Sequence, residues 1–152
     1  MTGCLGPAAA APPPSTRAIS AHRPAEAAPK AAPAALRGWV NVNLVAVESI
    51  VAVVRQIDRA ATAGDGRAVA RGCATLQAAL AQAQAGGPIP GAGAQAAWQA
   101  ALDHLAVGAG LCVDGVPRAD PSSILLSAQE LATGISRLEQ LVPGLRSAAQ
   151  PR

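Results

Sequence analysis

Two helical runs between residues 67 and 113 each set a cysteine on their apolar stripe, and no other stretch constrains the fold as much. In the first run Val69, Cys73, Leu76 and Leu80 recur at steps of four and three. In the second, Trp98, Leu102, Leu105 and Cys112 follow the same rhythm, with Ala109 in the gap. Such spacing marks a helix with one buried face. Both cysteines therefore point at a core, and the glycine- and proline-rich turn over residues 86–93 folds one run back on the other. This placement predicts a disulfide between Cys73 and Cys112, which would close a loop of about forty residues and contribute roughly 4 kcal/mol in the chain-entropy account. Two buried thiols acting as small apolar residues are the alternative. Cys73 lies two turns into its helix and Cys112 near the end of the other. The bond therefore requires the second helix to extend or to be staggered.

Around this pair the chain has little bulk to pack with. Phe and Tyr are absent, and Trp39 and Trp98 are the only aromatic residues among 152. A core made largely of Ala, Leu and Val must be thin, with helices that approach closely over small side chains. The length is that of one domain. Trp98 is expected to anchor the core, whereas Trp39 either covers the end of the bundle or stays partly wet.

Two further helices complete the reading. Residues 38–62 begin with an alternating, strand-like run, Trp39 to Leu44, yet Val40, Leu44, Val47, Val51, Val54 and Ala61 keep helical spacing to the end. A membrane span is not expected there, because Asn41, Asn43, Glu48 and Arg55 fall within the roughly 20 residues a span needs. Gly64-Asp65-Gly66 makes the first turn, with Asp65 as cap of the helix that runs to about residue 84. Residues 95–113 form the third helix, and Asp114-Gly115-Val116-Pro117 turns the chain. The fourth starts at Asp120 with Pro121 in its first turn, and carries Ile124, Ala128, Leu131, Ile135, Leu138, Val142 and Leu145 as a stripe. Pro143 should kink or end it. The expected architecture is all-α, an antiparallel up-down-up-down four-helix bundle over residues 38–150. One pole collects Arg59, Asp65, Arg67, Asp114, Arg118 and Asp120, and the other carries the Pro88-Ile89-Pro90 loop, read as flexible and bland.

Residues 1–37 differ in kind. They are dense in alanine and proline, including Pro12-Pro13-Pro14, and hold few large apolar side chains. Nothing there offsets the entropy of ordering, so a disordered spacer or tether is expected. The formal charge of +3 belongs to this tail, where Arg17, Arg23, Lys30 and Arg37 face Glu26 alone. A neutral body with no aromatic stacking residues argues against nucleic acid.

The chemistry-bearing side chains make no constellation. His104 lies eight residues before Cys112, on another side of the helix and about 12 Å along it, and is read as a solvated pair with Asp103. One histidine and two separated thiols make no zinc site. Glu48, Asp58, Asp103, Glu130 and Glu139 are scattered, with none of the inward Glu-x-x-His pairs of a di-metal bundle. Asn41 and Asn43 are read as surface residues, and Gly91-Ala92-Gly93 as a hinge rather than a phosphate loop. No catalytic residue, metal or cofactor is expected.

Met1-Thr2-Gly3-Cys4 resembles the lipobox of bacterial lipoproteins, in which a small residue and Gly or Ala precede a cysteine that is lipidated. The resemblance implies lipidation of Cys4. The basic and apolar parts of a signal are missing and Met stands where Leu is usual, as an internally assigned start codon would produce; a chance cysteine is the alternative. Taken with the tail, Cys73, the helix from Trp98 to Cys112 and the Asp120-Pro121 start, the chain resembles the small exported helical-bundle proteins of GC-rich actinobacteria. Plant invertase inhibitors are similar in fold alone. The resembled proteins are mostly of unknown function; the leading expectation for this chain is a tethered or secreted envelope protein, with Cys4 as membrane tether, that binds a protein partner or a small apolar ligand without catalysis. The competing expectation is a cytosolic helical protein with free thiols that associates through its apolar stripes.

Overall fold

The computed structural model describes residues 33–150, apart from the side chains of residues 148 and 149. The expectations for the tail up to residue 32, including Cys4, fall outside the described residues. Four helices make up the described chain: α1 Pro33–Thr62, α2 Gly66–Ala85, α3 Ala92–Arg118 and α4 Pro121–Ala149. No strand occurs among the described residues, so the alternating run at the start of α1 is helical. Each helix packs on two others. α1 touches α2 and α4, and α3 touches the same two. Neighbours meet in opposite chain directions: Ile57 lies against Gly72 and Asn43 against Gly86, while Gly108 meets Leu131 and Gly115 meets Ser123.

α1 begins five residues earlier than expected. Pro33 suits a first turn because the amide it lacks has no intrahelical partner there, and Leu36 packs partly against the core. By length and composition α1 could also cross a membrane, since an 18-residue window reaches a mean hydropathy of 1.5. Here its Val40, Val47, Ile50 and Ile57 are buried in the protein core instead. The buried face also takes in Trp39, Asn43 and Val53, whereas Leu44, Val51 and Val54 are half-buried and Ala61 is exposed. The expected stripe is thus one flank of the true one. Asn43 is a correction: it is buried, and its Nδ2 donates to the Trp39 carbonyl at 2.9 Å.

α3 corrects the expected turn at residues 114–117, because the helix runs through it to Arg118. Gly115 is buried and Val116 packs partly against the core. This burial outweighs the local turn chemistry, as tertiary context commonly does. The helix closes on Ala119, whose φ of 49° is left-handed, with its amide bonded to the Gly115 and Val116 carbonyls. α4 likewise continues past Pro143 to Ala149. The capping expectations are met, as Asp65 Oδ1 accepts from the Ala68 amide at 2.9 Å and Asp120 Oδ1 from the Ser122 amide at 3.1 Å.

The α3–α4 seam is made of small residues. A Cβ on Gly134 would stand 2.6 Å from Leu105 Cγ and 3.0 Å from the Ala101 carbonyl oxygen. One on Gly108 would meet Leu131 at 2.9 Å, and one on Gly115 would meet Ser123 at 2.6 Å. Ser127 is buried in the same seam and donates from Oγ to the Gly108 carbonyl at 2.8 Å. This approach turns α4 toward α3. Leu131, Leu138 and Leu145 of the expected stripe are buried, Ile135 and Val142 are half-buried, and Ile124 and Ala128 are left outside.

Gly134→Ala is expected to destabilise the protein by about 1–3 kcal/mol despite its better helix propensity. Gly110, where nothing lies within 4 Å of an added Cβ, provides the control: Gly110→Ala should stabilise by about 0.5–1 kcal/mol. Ala119→Gly should stabilise by about 1 kcal/mol, because glycine adopts the left-handed conformation without the Cβ penalty. Urea unfolding followed by far-UV circular dichroism measures all three.

Candidate functional site

Cys73 and Cys112 come together in the core. Their Cα atoms are 6.1 Å apart and their sulfurs lie at bonding distance. The extension of α3 beyond residue 113 lets Cys112 sit within the helix and level with Cys73. Both are essentially inaccessible, at 0% and 2% exposure, so neither sulfur can meet a substrate.

The pole read as bland is built. Trp39 is buried, and its ring meets Trp98 edge to face with centroids 5.6 Å apart. Its Nε1 donates to the Gly87 carbonyl at 3.1 Å, and the Ile89 amide donates to Gln95 Oε1 at 2.6 Å. Ile89 is buried, so the loop is a plug rather than a flexible link. Gly86 must be glycine or nearly so, since any Cβ would collide with Asn43 Oδ1. Edge-to-face aromatic contact and a buried, bonded indole are stabilising, not reactive, features. At the other pole Asp120 is held below the usual carboxylate range, first by the Ser123 hydroxyl, which donates at 2.6 Å, and then by the Ser122 amide.

His104 is corrected as well. It pairs with Glu130 of α4, Nδ1 to Oε2 at 2.6 Å, and not with its neighbour Asp103. The pair bridges α3 and α4 on a flank that is one-third exposed. The sequence carries no signal for it, because helical periodicity does not state which residues of two helices come level.

What remains open is the seam between α1 and α4. Its two ion pairs are exposed. Arg146 Nη2 donates to Glu48 Oε1 at 2.8 Å, and Arg55 stands 3.6 Å from Glu139. Glu48 is half-exposed on this flank. Between α1 and α4 the helices leave a groove of about 320 Å³, lined by Val54, Ile57, Ala61, Ala128, Leu131, Ala132 and Ile135 together with the charged Arg55, Asp58 and Glu139. The walls are mostly apolar with three charged side chains among them, and the volume is at the lower end of small-ligand sites. Among the described residues no three His, Cys, Asp or Glu side chains gather to hold a metal ion. The groove can bind apolar surface; it offers no paired acid and base around a reacting atom.

No family model matches the sequence, and comparison with curated proteins and with solved structures returned no significant match.

Asp120 ties the local chemistry to pH. Its carboxyl has a lower pKa folded than unfolded, where it lies near 3.9. Its contribution to stability is therefore complete above about pH 4–5 and is lost as pH falls through the folded value. Asp120→Ala should lower the melting temperature at pH 7, and the gap to the native chain should close as pH drops from about 4 toward 2. A constant gap down to pH 2 would show that the carboxylate charge contributes nothing to the cap.

Proposed function

We propose that this chain is a non-catalytic, exported or envelope-tethered binding protein. Its helices form an antiparallel up-down-up-down bundle, and residues 1–32 serve as a proline-rich tether ending at Cys4. The observation that carries the export reading is the Cys73–Cys112 pair, two shielded sulfurs at bonding distance inside a thin core. A disulfide so placed persists in an oxidising compartment and joins the two middle helices of the chain. Thr2-Gly3-Cys4 agrees with the same address and adds a lipid anchor. The binding surface is the mostly apolar groove between α1 and α4, beside two exposed ion pairs.

Intact mass of the protein from its native cells, with and without thiol alkylation, tests the address. Two unalkylated sulfurs and a diacyl modification on Cys4 are expected. Three reactive thiols on an unmodified chain would leave a cytosolic bundle that associates through its apolar faces. Cys73→Ala should cost about 4 kcal/mol in the oxidised protein and far less under full reduction. The groove is tested separately with the uncharged dye N-phenyl-1-naphthylamine at low protein concentration. Its fluorescence should rise with the native chain and fall back when Ala132→Glu puts a charge in the wall.

A further inference from the structure

α2 carries two charged side chains, Arg67 and Arg71, and no acid. Both stand in its first two turns, where the helix end bears partial positive charge and acids are the favoured residues. They are four apart, so they share a face and repel each other. The charges around them are placed the other way. Arg59 and Arg118 lie in the last turns of α1 and α3, and Asp65 and Asp120 cap α2 and α4, all where the dipole favours them. Nor does a carboxylate compensate the pair. Arg55 and Arg146 have acidic partners, but among the described residues none comes within salt-bridge distance of Arg67 or Arg71. Asp65, the nearest acid along the chain, turns its Oδ1 to the Ala68 amide instead.

The two arginines line one concavity. Gly66, Arg67, Ala70 and Arg71 of α2 meet Val116 and Pro117 of α3 around an open pocket of about 600 Å³. Its α3 wall exists because that helix runs on to Arg118. The pocket thus sets two guanidinium groups beside a small apolar wall, and both arginines are exposed to solvent. Side chains at this spacing leave the helix about 5–6 Å apart, close enough for both guanidinium forks to reach a single tetrahedral oxyanion.

We infer that Arg67 and Arg71 bind a phosphate ester, with the phosphate oxygens on the two guanidinium groups and the organic part against Val116 and Pro117. The charge count selects the class. A phosphate monoester carries about −1.5 to −2 at neutral pH, which matches two arginines, whereas a carboxylate is satisfied by one. The apolar wall favours an ester over inorganic phosphate. The site needs neither the groove nor export. It lies between α2 and α3, the pair of helices that takes no part in the α1–α4 seam.

Heteronuclear magnetic resonance of the full oxidised chain tests this, with phenyl phosphate titrated to about 20 mM at constant ionic strength. The Arg67 and Arg71 Nε–H signals and the Gly66 and Val116 amides should shift saturably, with a dissociation constant on the order of 1 mM. Arg67→Gln and Arg71→Gln should each weaken binding at least about tenfold, whereas Arg137→Gln, exposed on α4, should leave it unchanged. Without ligand, both variants should melt no lower than the native chain, because each removes a repulsion from the start of α2. A pair that only supports the fold would lower the melting temperature instead. Flotation with phosphatidylcholine vesicles containing phosphatidic acid separates the two sources of the phosphate. Flotation lost in the arginine variants assigns a lipid headgroup, and phenyl phosphate binding without flotation assigns a soluble ester. No response to either probe overturns the inference, as does a response that both arginine variants retain.

Discussion

The distance between α3 and α4 is set by Gly108, Gly115 and Gly134, and most of what is unusual in the molecule follows from it. A chain without Phe or Tyr cannot fill a wide core. It gains dispersion contacts only by bringing backbones together, and glycine is the residue that permits this. The cost of three glycines in helices, about 1 kcal/mol each relative to alanine, is offset where each lies against a leucine or serine of the facing helix. Once α4 is drawn to α3, Ser127 and Gly134 take the inward positions, and the large residues beside them are turned away. α1 then reaches the latter half of α4 through long charged side chains, and near its own C-terminus a groove is left. The groove is the complement of the glycine seam.

The parts of this structure that were legible in the sequence are those written into a single helix. Cys73, Leu76, Leu80, Trp98, Leu102, Leu105 and Cys112 are buried as their spacing requires, and Asp65 and Asp120 cap as their positions require. Local signals failed where a neighbour decided the outcome. Asp114-Gly115-Val116-Pro117 has the chemistry of a turn, yet Gly115 abuts Ser123, and the helix is kept. Ile124 and Ala128 fit a stripe, yet the approach to α3 rotates them out. Ile89, His104 and Glu130 find their partners across helices or loops, and the level at which two helices meet is not a periodic property. The groove is a space between elements and belongs to no stretch of sequence.

The fastenings of the four helices are unequal in kind. The Cys73–Cys112 link joins α2 to α3, and close packing joins α3 to α4. α1 is held by its apolar face and by the Trp39 and Asn43 contacts at one pole. Its outward connections to α4 are two exposed ion pairs, of a type that contributes about 0–1 kcal/mol.

The two indoles have a consequence of another sort. They touch each other at the pole of the α2–α3 loop, and with no tyrosine or phenylalanine in the chain all aromatic absorption, emission and near-ultraviolet dichroism arises there. The opposite pole, with both aspartate caps and the groove, is optically silent. Tryptophan emission will therefore follow the opening of this pole around Trp39 and Trp98, whereas far-ultraviolet dichroism averages over every turn of helix. When the two signals part company during unfolding, the difference dates the opening of one end of the molecule against the other.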